Sequence, residues 1–310
     1  MRAMTRVSWM LAGLVCACMA GVGRGADGDI KVTLIDAGQG SKSELRYMVE
    51  DDAYQTSKLS STMVMTQSMS GMQLPAQILP EMITPMTVTI KERVDGDTRY
   101  EIESGEVEIV DDGSADPQML AMMRQMMKGS GGVVTKGVMD ARGLHRDMDV
   151  QLPGGANPGM EDQLKQSGES AQRMALPFPE EAIGIGAEWL IEEEVSMNGV
   201  KIKQSVTCTL KDRYSDMAVI ELKIKQSADP QKINNPQMPQ MTIDLKELAG
   251  EGKGEVRVFL KRVLPVKSTM EMQTTMKMSM EMAGQSQEIE QSLAMTVAME
   301  SEVVRPATTP

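Results

Sequence analysis

Met270-Glu-Met-Gln-Thr-Thr-Met-Lys-Met-Ser-Met-Glu-Met282 is the stretch that decides the fold. Methionine stands at 270, 272, 276, 278, 280 and 282, with Thr274 the single gap on that parity. The other parity reads Glu271, Gln273, Thr275, Lys277, Ser279 and Glu281. Successive side chains of a strand point to opposite faces, so this alternation predicts a long strand with one apolar and one wet face. Outward from it the pattern recurs: Lys31–Ile35, Ser43–Val49, Lys58–Ser70, the faces Met86/Val88/Ile90 and Tyr100/Ile102/Val107/Ile109, Val133–Met139 and Leu144–Val150. In the second half Trp189–Met197, Val200–Tyr214, Met217–Ile224, Met241–Leu248, Glu255–Leu264 and Glu288–Val304 alternate too. Asp51-Asp52, Asp95-Gly96-Asp97 and Asn198-Gly199 read as turns. So does Gly250–Gly254, and Asp229–Gln240 with its three prolines reads as a loop.

One segment has the other period. Met119, Met122, Met123, Met126 and Met127 fall at i, i+3, i+4, i+7 and i+8, one face of a helix. Asp116 and Pro117 suit its start, and Gly129 with Gly131-Gly132 its stop. Pro153–Pro158 reads as a linker and Glu161–Met174 as a second short helix. The expected fold is therefore mainly β: a large antiparallel curved sheet or open barrel, with one or two short helices.

The N-terminus adds an export reading. Arg2 and Arg6 precede an apolar run from Val7 to Ala20, followed by small residues to Ala26, which is the layout of a secretory signal peptide. The run is shorter than the roughly 18–20 residues of a spanning helix. Residues 1–26 are therefore expected to be cleaved, leaving an exported, periplasmic or envelope-associated chain. Val15-Cys16-Ala17-Cys18 offers a lipidation alternative at Cys18. Cleavage removes three arginines and no acid, taking the net charge from −12 to −15. Such a chain is a poor partner for nucleic acid or anionic membrane. Cys208 is then the only cysteine, which excludes an internal disulfide, and no second apolar run suggests a transmembrane span in the mature chain.

A shift of 120 positions places Thr87-Val-Thr-Ile-Lys-Glu-Arg93 on Thr207-Cys-Thr-Leu-Lys-Asp-Arg213. It also pairs Glu101/Glu221, Gly132/Gly252, Val138/Val258, Arg142/Arg262 and Leu144/Leu264. This predicts one body, 27–310, made of two pseudo-repeats, about 27–153 and 175–305. The methionine helix has no counterpart in the second.

Leu176-Pro-Phe-Pro-Glu-Glu-Ala-Ile-Gly-Ile-Gly-Ala-Glu-Trp189 resembles the "proline, two acids, Gly-x-Gly-x-x-Trp" signature of an uncharacterised family of exported bacterial proteins typical of planctomycetes, known only as a domain of unknown function. Gln226–Pro236, Gly252-Lys-Gly254 with the strand to Pro265, Glu44–Tyr47 and Gly143–Asp147 fit similarly. The resemblance spans nearly all the mature chain. It implies location and architecture, and no catalytic residue.

The chemistry-bearing residues are sparse. His145 is the only histidine, so a Ser-His-Asp triad would have to use it, and no nucleophile-elbow glycines accompany it. Zinc sites of the usual kind need several His or Cys. Asp51-Asp52, Asp111-Asp112 and Glu192-Glu193-Glu194 read as solvated turns and faces, and Asp111–Asp116 lacks calcium-loop spacing. A transmembrane barrel would need aromatic girdles, and aromatics are only 3% of the chain. That leaves the 32 methionines. The candidate site is the set Met119, Met122, Met123, Met126, Met127, Met270, Met272, Met276, Met278, Met280 and Met282. Its three readings are an apolar-ligand lining for a lipid or other apolar small molecule, a dry core, and a copper(I) site. Same-face neighbours on a strand are roughly 6.5–7 Å apart, so a copper site would need cross-strand partners. The leading expectation is a non-enzymatic envelope protein, without cofactor, that binds a lipid-like partner; a structural or interaction scaffold with a dry core is the alternative.

Overall fold

The structure, a computed structural model, describes residues 30–51, 54–113, 115–153, 174–197, 200–234, 242–282 and 285–304. The leader, Cys18, Asn198-Gly199, most of the 153–174 linker and helix, and the side chain of Met282 lie outside the described residues.

In chain order the strands are β1 (Lys31–Asp36), β2 (Gln39–Ser43), β3 (Tyr54–Met69), β4 (Met72–Gln73), β5 (Gln77–Val94), β6 (Asp97–Ser104) and β7 (Glu108–Ile109). The helix α1 (Pro117–Met127) precedes β8 (Val133–Met139), β9 (His145–Gln151) and β10 (Ile183–Ile185). Then come β11 (Glu188–Met197), β12 (Val200–Tyr214), β13 (Met217–Ala228), β14 (Gln231–Asn234), β15 (Thr242–Phe259), β16 (Lys267–Met282) and β17 (Gln285–Val304). Fifteen of them form one antiparallel sheet in the order β1-β11-β12-β13-β15-β16-β17-β3-β5-β6-β8-β9, with β14, β4 and β7 attached to β15, β3 and β5. It is not closed into a barrel. β2 and β10 pair separately.

The order divides into two runs of six. β1-β11-β12-β13-β15-β16 and β17-β3-β5-β6-β8-β9 follow the same plan, each headed by a strand from the far end of the chain. The β5–β6 and β12–β13 hairpins coincide under the offset of 120. Ile90 faces Tyr100 and Glu92 faces Arg99, with the register shifting between them; Leu210 faces Ile220 and Asp212 faces Val219 with the same shift. A bulge at Lys91 thus recurs at Lys211. Each lysine meets a glutamate across the hairpin, Lys91–Glu101 at 2.7 Å and Lys211–Glu221 at 3.2 Å. On the next strand the match slips by one: Arg99 faces Val138, whereas Val219 faces Arg257, so Val138 corresponds to Arg257 and not to Val258.

Three readings need correction. Gly250–Gly254 is not a turn: β15 runs straight through it, and Gly250, Gly252 and Gly254 continue the inward parity between Leu248 and Val256. A Cβ on Gly254 would lie 2.5 Å from the Thr269 carbonyl oxygen and 2.8 Å from Met270 Cγ, so neighbouring chain occupies that room. Glu44–Val49 is not a strand. Leu45, Tyr47 and Val49 are buried alternately, but Tyr47 N donates to Ala141 O and Met48 N to Leu260 O, two loop carbonyls from different halves. Within Asp229–Gln240, Gln231–Asn234 forms β14.

The sheet curls so that both halves meet in shared cores. One cluster joins Tyr100, Ile102 and Met139 to Trp189, Cys208, Leu210 and Val258, with Tyr47 and Phe178 between them. Tyr47 stacks on Phe178 with ring centroids 4.9 Å apart, and Trp189 Nε1 donates to Pro177 O at 3.0 Å. The signature residues Pro177, Phe178 and Trp189 are thus packing elements. Gly184 belongs with them, because a Cβ there would stand 2.2 Å from Gln39 O.

Candidate functional site

The second core cluster holds the methionines. It is built where α1 lies against the inner face of the curled sheet. Asp116 caps the helix: its carboxylate accepts from Gln118 N at 2.8 Å and Met119 N at 3.1 Å, satisfying two amides that have no partner within the helix. Pro117 occupies the first turn, where its missing N–H costs nothing, and Gly129 at φ +80° follows the end.

The buried stripe of α1 is Met119, Leu120 and Met123, with Met127 partly buried. Met122 and Met126 face outward, 46% and 47% exposed. The predicted five-methionine face is therefore rotated: Leu120 belongs to it and Met122 and Met126 do not. Met119, Leu120 and Met123 join Met63 and Met65 of β3, Leu79 and Met82 of β5, Val195 of β11, and Val200 and Ile202 of β12.

β16 supplies the floor. Met276, Met278 and Met280 are 4%, 2% and 2% exposed and belong to the same cluster. Their cross-strand neighbours are Leu248, Leu245 and Ile243 on β15 and Gln291, Ile289 and Gln287 on β17. None is a methionine, so those three thioethers have no adjacent sulfur across either strand. Met270 is partly buried against the first cluster, opposite Gly254, and Met272 is partly buried opposite Gly252. Met272, Met295 and Met63 do form a cross-strand row over β16, β17 and β3. The structure thus brings together Met119, Met123, Met276, Met278 and Met280, and leaves Met122, Met126, Met270 and Met272 apart from them.

Between the two clusters runs a belt of another kind. Glu193, Gln204, Gln226, Gly250 and Thr274 face one another in register across β11, β12, β13, β15 and β16. Gln226 Nε2 donates to Gln204 Oε1 at 2.6 Å, and Gln204 Nε2 donates to Glu193 Oε1 at 3.1 Å. The two buried amide nitrogens thus each find an oxygen along the chain, which a core tolerates where an isolated polar group would cost stability, while Gln226 Oε1 is left without a hydrogen-bond donor among the described residues. The alternation pattern gave no sign of it, because glutamine on an inward parity reads as an interruption.

Two depressions lie near this belt, a waist between the clusters: one of about 700 Å³ lined by belt residues and one of about 530 Å³ beside it around Gly252. Both are open; charged side chains such as Glu251, Lys253, Glu271 and Lys225 line them, joined in the smaller one by the Met63–Met295–Met272 row. His145 is held by Tyr100, whose hydroxyl lies 2.6 Å from Nδ1. Cys208 is fully buried, and burial pushes its thiol pKa well up, away from the reactive thiolate. Among the described residues no group of three or more His, Cys, Asp or Glu is placed to hold a metal, and no helix is long and apolar enough to cross a membrane.

No family model matches the chain, and no curated protein matches it. Among solved structures it is similar to the InvG secretin domain β-barrel from the Salmonella SPI-1 injectisome NC-base, at 9% identity over 93% of this chain and 90% of that one, with a TM-score of 0.18. A score that low carries no argument about fold or function.

Proposed function

We propose that the protein is a non-enzymatic, exported envelope protein that acts as a structural or interaction scaffold, and that its methionine faces are a dry core. The observation that carries this reading is the burial of Met63, Met65, Met119, Met123, Met276, Met278 and Met280, all in one cluster fed by both halves of the sheet. Methionine suits such a place because its unbranched, flexible side chain fills irregular gaps between a helix and a curled sheet. Export rests on the basic n-region and apolar run of residues 1–26. The apolar-partner reading keeps one specific observation, the partly exposed Met272 beside Gly252 at the waist.

Two measurements on the purified protein separate the readings. Met276→Ala removes a fully packed side chain and should cost about 2–5 kcal/mol of unfolding free energy. Native mass spectrometry before and after delipidation should show the bare chain mass in both cases. A small loss at Met276 together with a lipid-sized adduct displaced by a fluorescent fatty probe would overturn the scaffold in favour of a carrier.

A further inference from the structure

Ten large apolar side chains of the described body stand exposed, and four are methionines: Met48 at 50%, Met72 at 67%, Met122 at 46% and Met126 at 47%. Met122 and Met126 are one helical turn apart on the flank of α1, beside the stripe that docks it. A thioether is a soft two-electron nucleophile. Its oxidation turns a flexible apolar side chain into a polar sulfoxide, which disrupts packing only where the side chain is packed. Met122 and Met126 stand about half exposed and outside both core clusters, and helix docking rests on Met119, Leu120 and Met123. The same chemistry at Met276, Met278 or Met280 would drive a sulfoxide into the core. The buried Cys208 offers no competing surface thiol.

We propose that the exposed flank of α1, Met122 with Met126, is a sulfoxidation site for peroxide-class oxidants, backed by Met72 at the start of β4 and Met48 in the segment that bonds to loops of both halves. In the step, a sulfur lone pair attacks one peroxide oxygen. The S–O bond forms as the O–O bond breaks, and the departing hydroxide takes the remaining proton and leaves as water. Sulfur is oxidised by two electrons and the peroxide is reduced by two. The exposed set reacts in the native state, whereas the inward set reacts only through opening of the fold, with rates reduced by the opening equilibrium. The surface methionines therefore consume oxidant while the architecture is kept.

The test is a hydrogen peroxide titration of the full chain, with each methionine mapped by peptide mass spectrometry and the unfolding midpoint followed by Trp189 fluorescence. Met48, Met72, Met122 and Met126 should convert at least about tenfold faster than Met119, Met123, Met276, Met278 and Met280. The midpoint should hold while they do. The double variant Met122→Leu/Met126→Leu should lose two oxygens from the α1 peptide. Met122→Gln/Met126→Gln, which places permanent polarity on the same face, should unfold at the parent midpoint. Conversion of Met119 or Met123 as fast as Met122, or a midpoint that falls with the first sulfoxides or with the glutamine variant, overturns the proposal.

Discussion

The inward glycines of β15 permit a graded experiment: alanine at 250, 252 and 254 in turn. Removing glycine from a strand restricts the unfolded chain and should by itself stabilise by roughly 0.5–1 kcal/mol. Against that stands the room each Cβ finds. At Gly250 its closest neighbour is Thr274 Oγ1 at 3.0 Å, the end of a side chain that can turn away. At Gly252 it meets the Glu271 carbonyl oxygen at 2.9 Å, and at Gly254 the Thr269 carbonyl oxygen at 2.5 Å with Met270 Cγ at 2.8 Å. Backbone cannot rotate aside, and overpacking costs typically 1–3 kcal/mol. Gly254→Ala should therefore lose about 1–2 kcal/mol net, Gly252→Ala less, and Gly250→Ala little or nothing. With a urea slope of about 3 kcal/mol/M for a chain this size, the Gly254 midpoint falls by about 0.5 M. Trp189, fully buried in the first core, is the fluorescent reporter. An unchanged midpoint for Gly254→Ala, or the reverse order across the three sites, would refute the continuous strand and restore the turn.

Two further outcomes follow from the same geometry. Met123→Ala should cost about 2–5 kcal/mol while Met122→Ala, one residue away, stays within about 0.5 kcal/mol; equal costs would mean the helix stripe is misplaced. Hydrogen bonding from Lys91, joined by Lys136, holds the Glu101 carboxyl below the usual carboxylate range despite partial desolvation. A depressed folded-state pKa contributes stability above the unfolded value of about 4.3 and loses it as pH falls through the folded one. The stability gap between the parent and Glu101→Gln should thus be present at neutral pH and close on acidification below about pH 4; a gap that widens there contradicts the ion pair.

What was readable in the sequence depended on whether a side chain announced its face. Met276, Met278 and Met280 alternate with Lys277 and Ser279, and β16 follows directly. Gly250, Gly252 and Gly254 have no side chain to announce anything, and a cluster of glycines mimics turn chemistry, so one strand reads as two. Leu45, Tyr47 and Val49 alternate in burial, but their backbone partners are loops distant in sequence, and alternation says nothing of who accepts the hydrogen bonds. On α1 five methionines share one residue type and a helical spacing, whereas the docked arc is centred nearer Leu120. The offset of 120 aligns the β5–β6 and β12–β13 hairpins, whose bulges at Lys91 and Lys211 coincide. It could not see the slip of one on the following strand.

The crosswise heading of the two six-strand runs sets the order in which the chain can become a protein. β3 has no hydrogen-bonded neighbour on one side until β17 arrives, and the Ser57 and Ser301 hydroxyls that meet there are 244 residues apart in sequence. β1 waits for β11 in the same way, with Lys31 and Glu192 separated by 161. Loop closure over such spans must be met before the contacts reward it, which makes assembly slow. In the interval the strand edge and its methionines stand open to other chains, the condition under which β proteins aggregate. The lysine and glutamates that flank this edge, Lys58 on β3 and Glu288, Glu290, Glu300 and Glu302 on the outer face of β17, are then gatekeepers of the journey as well as solvation of the finished surface.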